Sequence, residues 1–186
     1  FVDALDHPVG ATLRPVPVGT NPEWVSLPAS KWPPGVPSDQ RSLLWFADVA
    51  RPDSVYVRIG EIGDAPDRTF ERFAADLQAH LAATTLRTLI LDLRGNPGGD
   101  NSLNPPLVRA LLRVPWVSEP GALYVLVDGG TFSAAMNLAE DLERWLPAVF
   151  VGSGTGARPN TYGDARKFVL PRSGLTLRLS SLFWQN

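Results

Sequence analysis

The residue best placed for chemistry is a serine at the start of a predicted helix. Ser133 follows an apolar run at 122–127 and the turn Asp128-Gly129-Gly130, and apolar spacing predicts a helix over 132–146. The N-terminus of a helix leaves backbone N–H groups unpaired and carries a partial positive charge, which suits a nucleophilic hydroxyl. Serine and threonine more commonly cap such a helix, so position alone leaves Ser133 and Thr131 open to either role.

A second glycine turn favours the chemical role. Gly98 and Gly99 follow another apolar run, at 88–93. Two flexible backbone N–H donors beside a nucleophile are what an oxyanion hole needs, whereas the alternative is a tight turn that requires a positive φ. A third glycine turn at 152–156 matches the dinucleotide fingerprint G-x-G-x-x-A only formally, since Pro159 and Gly163 oppose the helix that a pyrophosphate needs.

The elements that would position these turns alternate between strand and helix. This alternation predicts one α/β domain whose right-handed crossovers bring the glycine turns to one edge of a sheet. The pattern predicts strands at 54–59, 88–93, 122–127 and 148–151, helices at 68–83, 104–113 and 132–146, and a C-terminal β-hairpin with strands at 167–170 and 175–179.

The N-terminal part has a different composition. Nine of the 18 prolines lie in the first 52 residues, which predicts an irregular wrap over 1–52 that belongs to the same domain as 53–186. The chain begins with Phe1 and not with methionine, so we expect a processed protein or a fragment.

Composition excludes several function classes. The net charge of -2 argues against nucleic-acid binding, and the apolar runs are far shorter than the ~20 residues of a membrane span, so we expect a soluble protein. With Cys 0 and His 2, neither disulfides nor a thiolate or multi-histidine metal site is expected. The compartment stays open, secretion and the periplasm included, and so does the oligomeric state.

Four motifs together resemble the tail-specific, or C-terminal processing, serine peptidases, whose relatives include the tricorn peptidase core and the interphotoreceptor retinoid-binding protein. They are LILDLRGNPGG (89–99), YVLVDGGTFSAA (124–135), VFVGSGTGARPNTYG (149–163) and FVLPRSGLTLRLSSLFW (168–184). The resemblance implies a crotonase-like spiral of ββα units, as in the ClpP and crotonase folds, with 53–186 as the catalytic domain. It also implies a peptide or protein substrate, no metal and no organic cofactor. Ser133 would be the nucleophile, with the oxyanion hole formed by Gly98 or Gly99 and Ala134.

The sequence departs from that family at the general base. Arg158 stands where the best-known branch has its lysine, and a guanidinium cannot deprotonate a serine. Ser153 and Met136 stand where relatives carry carboxylates. The base is therefore open: His7, His80, Glu140 and Asp164 are titratable residues near the motifs or upstream, and none of them is assigned as the base.

Two functions follow as expectations. The first is a serine-type peptidase that uses Ser133 without a serine–lysine dyad. The second is a lapsed relative that binds a peptide or an apolar ligand without turnover. Arg158 and Thr155 are candidate substrate-binding residues, and Arg158 either holds a substrate carboxylate or turns to solvent.

Overall fold

The structure is a computed structural model and describes residues 43–50, 53–158 and 160–184. These residues lie within one compact unit, Trp32–Asn186. The predictions for most of the wrap, His7 included, fall outside the described residues.

A five-stranded sheet forms the centre, with its strands in the order β1-β2-β3-β4-β5. β1 is antiparallel to β2, and the pairs from β2 to β5 are all parallel. The predicted α/β class is thereby confirmed at the level of a parallel-rich sheet with helical crossovers. The strands are β1 (Leu44–Ala50), β2 (Asp53–Ile59), β3 (Leu89–Asp92), β4 (Leu123–Val127) and β5 (Val149–Gly152).

β1 corrects the prediction of an irregular wrap over 1–52. Its residues pair with β2 along the whole strand, from Leu44 opposite Ile59 to Ala50 opposite Asp53. Leu44 and Val49 are buried. The run Leu44–Ala50 contains no proline, so the proline count of the larger segment concealed a strand that pairs with β2 and packs into the core.

Three helices cover one face of the sheet: α1 (Phe70–Ala83), α2 (Asn104–Leu112) and α3 (Ala134–Trp145). The apolar stripe predicted for the first helix is confirmed, because Phe70, Phe73, Leu77 and Leu81 are all buried. They pack with the strand residues that share that face, among them Val57, Leu91 and Val125, in the main core.

The opposite face of the sheet carries a smaller cluster. Trp45 stacks on Tyr56, with ring centroids 5.4 Å apart, and Ile90 and Leu126 pack beside them. β3 is covered less on this face than on the helical face, because Ile90 is only partly buried whereas Leu89 and Leu91 are fully buried.

The last element is the predicted β-hairpin, longer than expected: β6 (Thr161–Val169) pairs antiparallel with β7 (Thr176–Trp184). Gly174, with φ 69°, lies in the turn and donates its N–H to the Leu170 carbonyl at 2.9 Å. Most hairpin side chains are exposed. None of the helices among the described residues has the length and apolar character to cross a membrane.

Candidate active site

The glycine turns converge at the carboxyl edge of the parallel strands, as the crossovers predict. The Ile62 N–H donates to the Gly98 carbonyl at 2.8 Å, which joins the loop after β2 to the loop after β3. The Gly156 N–H donates to the Thr131 carbonyl at 2.9 Å, which joins the loop after β5 to the turn before α3. The chain then enters β6 rather than a helix, so this third turn lacks the helix that a dinucleotide site needs.

Ser133 occupies the N-cap position of α3 but does not cap it. Its backbone has φ 53° and ψ -127°, and its hydroxyl makes no capping hydrogen bond to the helix. A non-glycine residue in this region costs about 1–3 kcal/mol and persists only where its surroundings enforce it. The strained turn leaves the Ser133 side chain exposed.

Thr131 does not cap the helix either. Its buried hydroxyl donates to the Leu93 carbonyl at 2.9 Å and accepts from the Asp128 N–H at 3.0 Å. These bonds tie the turn before α3 to the end of β3. Capping, the commoner use of serine and threonine here, is therefore excluded for both residues.

Gly98 packs directly against the start of α3. A Cβ on Gly98 would lie 2.6 Å from Ser133 Cβ and 2.9 Å from the Ala134 nitrogen, and its φ is 108°. Both the space and the backbone conformation require glycine at this position. The close approach brings the loop after β3 against the serine.

The two glycines differ in their free donors. The Gly98 N–H donates to Asn96 Oδ1 at 2.9 Å, so it is already paired. Within the described residues the Gly99 N–H has no acceptor, and Ala134, the first residue of α3, has none inside its helix. Of the predicted oxyanion donors, Gly99 and Ala134 thus keep free N–H groups and Gly98 does not.

Asn96, whose role the sequence analysis missed, organises this corner. It is fully buried, its Nδ2 donates to the Ile59 carbonyl at 3.0 Å, and its own carbonyl accepts from the Phe132 N–H at 2.9 Å. One residue therefore bonds to the end of β2, to Gly98 and to the residue before the serine. Its place inside the GNPGG motif was the available signal.

A group of amide side chains supports α3 from α2. Asn104 is the first residue of α2, and Leu103 holds the N-cap position. The Asn104 Nδ2 group donates to the Ala134 carbonyl and to Asn101 Oδ1, both at 2.9 Å. Asn101 Oδ1 also accepts from Asn137 Nδ2 at 3.1 Å. The Asn104 side chain therefore fixes the first turn of α3 and leaves the cap of its own helix.

A cleft of about 810 Å³ opens at Ser133, between the N-terminus of α3 and the hairpin. Its walls combine apolar side chains with polar ones from both elements. Gly99, Ser133 and Ala134 line it together, opposite Asp164, Arg178 and Trp184. Its volume falls within the range of clefts that bind small ligands, and Ser133 forms part of its wall.

The two predicted substrate-binding residues lie away from this cleft. Arg158 is exposed, forms no ion pair with the described residues and does not line the cleft. Thr155 donates its hydroxyl to the Ala157 carbonyl at 2.7 Å within its own loop. The structure thus gives Arg158 the solvent-facing alternative that the sequence left open.

The candidate bases within the described residues have other partners. His80 lies at the end of α1, where Nε2 is 2.7 Å from Asp48 Oδ1. Asp164, with φ 51°, accepts from Trp184 Nε1 at 2.7 Å. Burial, with Asp141 nearby, raises the pKa of Glu140, which does not line the cleft. No group of three or more histidine, aspartate or glutamate side chains in this part of the chain is arranged to hold a metal.

A buried ionic cluster lies on the other face of the sheet. Asp92 is 1% exposed and accepts from the Arg94 Nε and Nη2 groups, from the Arg94 N–H and from the Tyr56 hydroxyl. Burial acts to raise the pKa of Asp92, but the bonds from Arg94 and Tyr56 outweigh it and leave that pKa below its usual value. Burial and the adjacent Asp92 raise the pKa of Tyr56. Asp92 thus holds both the Arg94 guanidinium and the N–H of the turn that follows it.

Comparison with known proteins finds similarity at the level of structure. No protein-family model and no curated protein matches the sequence. A putative peptidase from Parabacteroides merdae matches with a TM-score of 0.58 and 18% identity over 74% of this chain and 50% of its own. A putative S41 protease from Bacteroides fragilis (TM-score 0.48, 18% identity) aligns over 76% of this chain and 45% of its own. A photosystem II D1 C-terminal processing protease (TM-score 0.48, 20% identity) aligns over 68% and 36%.

The chain spans about half the length of the first solved structures that it matches, 57% and 50% of their chains. At these identities the likeness is one of fold. The resemblance to the tail-specific peptidases, which four sequence motifs predicted, is confirmed as a similarity of fold to the putative peptidase from Parabacteroides merdae.

Proposed function

We propose that this chain is a serine-type peptidase with Ser133 as its nucleophile. The observation that carries the proposal is the backbone of Ser133, held at φ 53° and ψ -127° with a hydroxyl that does not cap its helix. A strained strand-to-helix turn that lifts a serine into a cleft is the arrangement of a nucleophile elbow. Strain at this one residue has no evident benefit for the stability of the helix.

The oxyanion hole of the proposed enzyme consists of the Gly99 and Ala134 N–H groups. Attack by Ser133 Oγ on a peptide carbonyl forms the C–O bond of a tetrahedral intermediate and places negative charge on the former carbonyl oxygen. Two fixed donors aimed at that oxygen stabilise the transition state more than the substrate. Gly98 sets the spacing, because its lack of a side chain lets the glycine loop approach Ser133.

Proton transfer is the step for which the described residues offer no group. Among them, no side chain accepts a hydrogen bond from the Ser133 hydroxyl. The proposed reaction needs a base to take the hydroxyl proton and give it to the leaving amine, after which water hydrolyses the acyl-enzyme. The proposal therefore assigns the base to a group outside the described residues.

The finer expectations belong to the same proposal. We infer a crotonase-like spiral of ββα units, a catalytic domain over 53–186, and a peptide or protein substrate that binds as an added strand along a sheet edge. The fold shared with a protein described as a putative peptidase supports the substrate class. No metal or organic cofactor enters the proposed chemistry.

The experiment is active-site labelling of the full-length chain with a fluorophosphonate probe. We expect one phosphonyl adduct, located on Ser133 by mass spectrometry, and none in Ser133→Ala. Ser102, which also lines the cleft, provides the matched control, and Ser102→Ala should label like the wild type. Absence of labelling in the full-length chain would overturn the peptidase proposal in favour of a binding module without turnover.

A further inference from the structure

One face of the hairpin brings two cations together beside the cleft. Arg178, Ser180 and Trp184 alternate along β7, share one face and all line the cleft with Ser133. Lys167 on β6 lies directly opposite Arg178, so both side chains leave the same face of the hairpin.

The pair is unfavourable for the hairpin itself. Like charges directly opposite each other on antiparallel strands repel and destabilise the pairing. Neither Lys167 nor Arg178 forms an ion pair within the described residues. In the described part of the chain, Arg178 at the cleft therefore faces Lys167 with no carboxylate in ion-pair contact with either.

The carboxylates of the cleft are engaged by neutral donors. Asp100 accepts from the Ser102 N–H at 2.9 Å and from the Ser102 hydroxyl at 2.7 Å. Asp164 accepts from Trp184 Nε1. Neither lies in ion-pair contact with Arg178, which leaves the guanidinium donors of Arg178 available to a ligand in the cleft.

We propose that Arg178, assisted by Lys167, binds a carboxylate of the peptide in this cleft and so selects peptides that present one there. A guanidinium offers two parallel N–H donors that match a carboxylate, and the facing ammonium adds positive potential. The carboxylate belongs either to an acidic side chain or to the peptide C-terminus. This inference rests on the proposed function for the peptide ligand, but binding needs no turnover.

The test measures peptide affinity with the full-length Ser133→Ala chain by fluorescence anisotropy. Three peptides that differ only at one side chain and at the C-terminus are compared. The first has an acidic side chain and an amidated C-terminus, the second has a neutral side chain and a free C-terminus, and the third has a neutral side chain and an amidated C-terminus. We expect at least one carboxylate peptide to bind more tightly than the neutral amidated peptide. The tighter of the first two identifies the source of the carboxylate.

Substitutions on the hairpin then assign the site. Arg178→Gln should weaken the carboxylate peptide about five- to tenfold and leave the neutral one unchanged. Arg166 lies opposite Leu179 and alternates onto the other face, so Arg166→Gln should change neither affinity. Lys167→Glu should pair with Arg178 and weaken the carboxylate peptide while the melting temperature holds or rises, which separates lost binding from lost folding.

The inference is overturned if the chain with Arg178 and Lys167 intact binds the carboxylate peptides no more tightly than the neutral amidated peptide, or binds no peptide at all. It is also overturned if Arg178→Gln and Arg166→Gln change the peptide affinities equally. Fluorophosphonate labelling reports the proposed function separately. Labelling without carboxylate preference refutes this inference alone, and carboxylate preference without labelling supports it while refuting turnover.

Discussion

Ser133 and Gly98 pack so closely that the position of each depends on the other. The left-handed backbone of Gly98 and the absence of a Cβ let the loop after β3 lie against Ser133 Cβ and the Ala134 nitrogen. Because both neighbours are close to the backbone of a helix start, neither can move without displacing the serine.

We predict that Gly98→Ala abolishes labelling of Ser133 and lowers the free energy of unfolding by at least about 2 kcal/mol, from backbone strain and overlap. Gly95→Ala is the matched control, since Gly95 has φ 66° but nothing within 4 Å of the added Cβ. It should cost roughly 1–2 kcal/mol and keep labelling. Urea denaturation measures the free energy of unfolding of both variants, and labelling rates measure the reactivity of Ser133. Equal labelling in the two variants would contradict the close packing of Gly98 on Ser133.

Ser133 and the pair Gly98 and Gly99 could be identified from the sequence, but which of the two glycines keeps a free N–H group could not. A strand, a glycine turn and a helix start are local patterns, so Ser133 was identifiable. Which glycine keeps a free N–H depends on Asn96, whose side chain pairs with Gly98. The path of Arg158 depends on how its loop packs on the turn before α3, and no local pattern encodes that packing.

At the scale of elements, Asn96 joins three of them. Its side chain bonds the end of β2 and the glycine loop, and its carbonyl bonds the turn that enters α3. These contacts fix the position of Ser133 relative to the free Gly99 N–H group.

Asn96→Ala leaves the Gly98 N–H and the Ile59 carbonyl without their partners in a buried place. We predict a loss of roughly 2–4 kcal/mol in the free energy of unfolding. Labelling of Ser133, measured where the variant is still folded, should slow at least about tenfold, because the donors lose their alignment. Unchanged labelling in a folded but destabilised variant would show that Asn96 does not position the site.

Asp92 ties β2 to β3 on the opposite face through Tyr56 and Arg58 as well as Arg94. Its pKa is lowered in the folded state, so its stabilising effect is present at pH values above its ordinary pKa of 3.8 and is lost as the pH falls through the lowered pKa. The sheet therefore has an acid-sensitive link away from the cleft.

We predict that Asp92→Asn lowers the free energy of unfolding by about 3 kcal/mol at neutral pH, because Arg94 keeps a charge without its counterion. The difference from wild type should shrink as the pH falls below about 3.8, because the carboxyl then takes up a proton in the unfolded chain before it does so in the folded one. Urea titrations across pH measure it, with Asp53→Asn, an exposed carboxyl, as control. A constant difference down to pH 2 would contradict the assignment.

Elements were predictable where their pattern was local, as for the apolar stripe of α1. β1 was hidden because nearby prolines dominated the composition, and its pairing with β2 joins residues that the sequence does not mark as partners. The hairpin was located but shortened, since its exposed strands lack the apolar continuity of buried ones.

Across the whole molecule, stability is concentrated in the central strands. β2, β3 and β4 are flanked on both sides and hold the main core, whereas β6 and β7 expose most side chains and, among the described residues, pair only with each other. A two-stranded hairpin is marginal by itself.

We predict that hydrogen exchange is slowest in β2, β3 and β4 and at least about tenfold faster in β6 and β7. Ligand binding in the cleft should slow exchange in the hairpin, because β7 lines that cleft. Mass spectrometry of exchanged peptides measures both effects. Equal protection of the hairpin and the central strands would contradict this distribution of stability.

The central claim is that Ser133 is a nucleophile facing an oxyanion hole. The most direct measurement is a crystal structure of the full-length chain after reaction with a fluorophosphonate. We predict phosphorus bonded to Ser133 Oγ, with a phosphonyl oxygen within hydrogen-bond distance of the Gly99 and Ala134 N–H groups. An unmodified Ser133, or an adduct whose oxygens face solvent while those two N–H groups bond elsewhere, would contradict it.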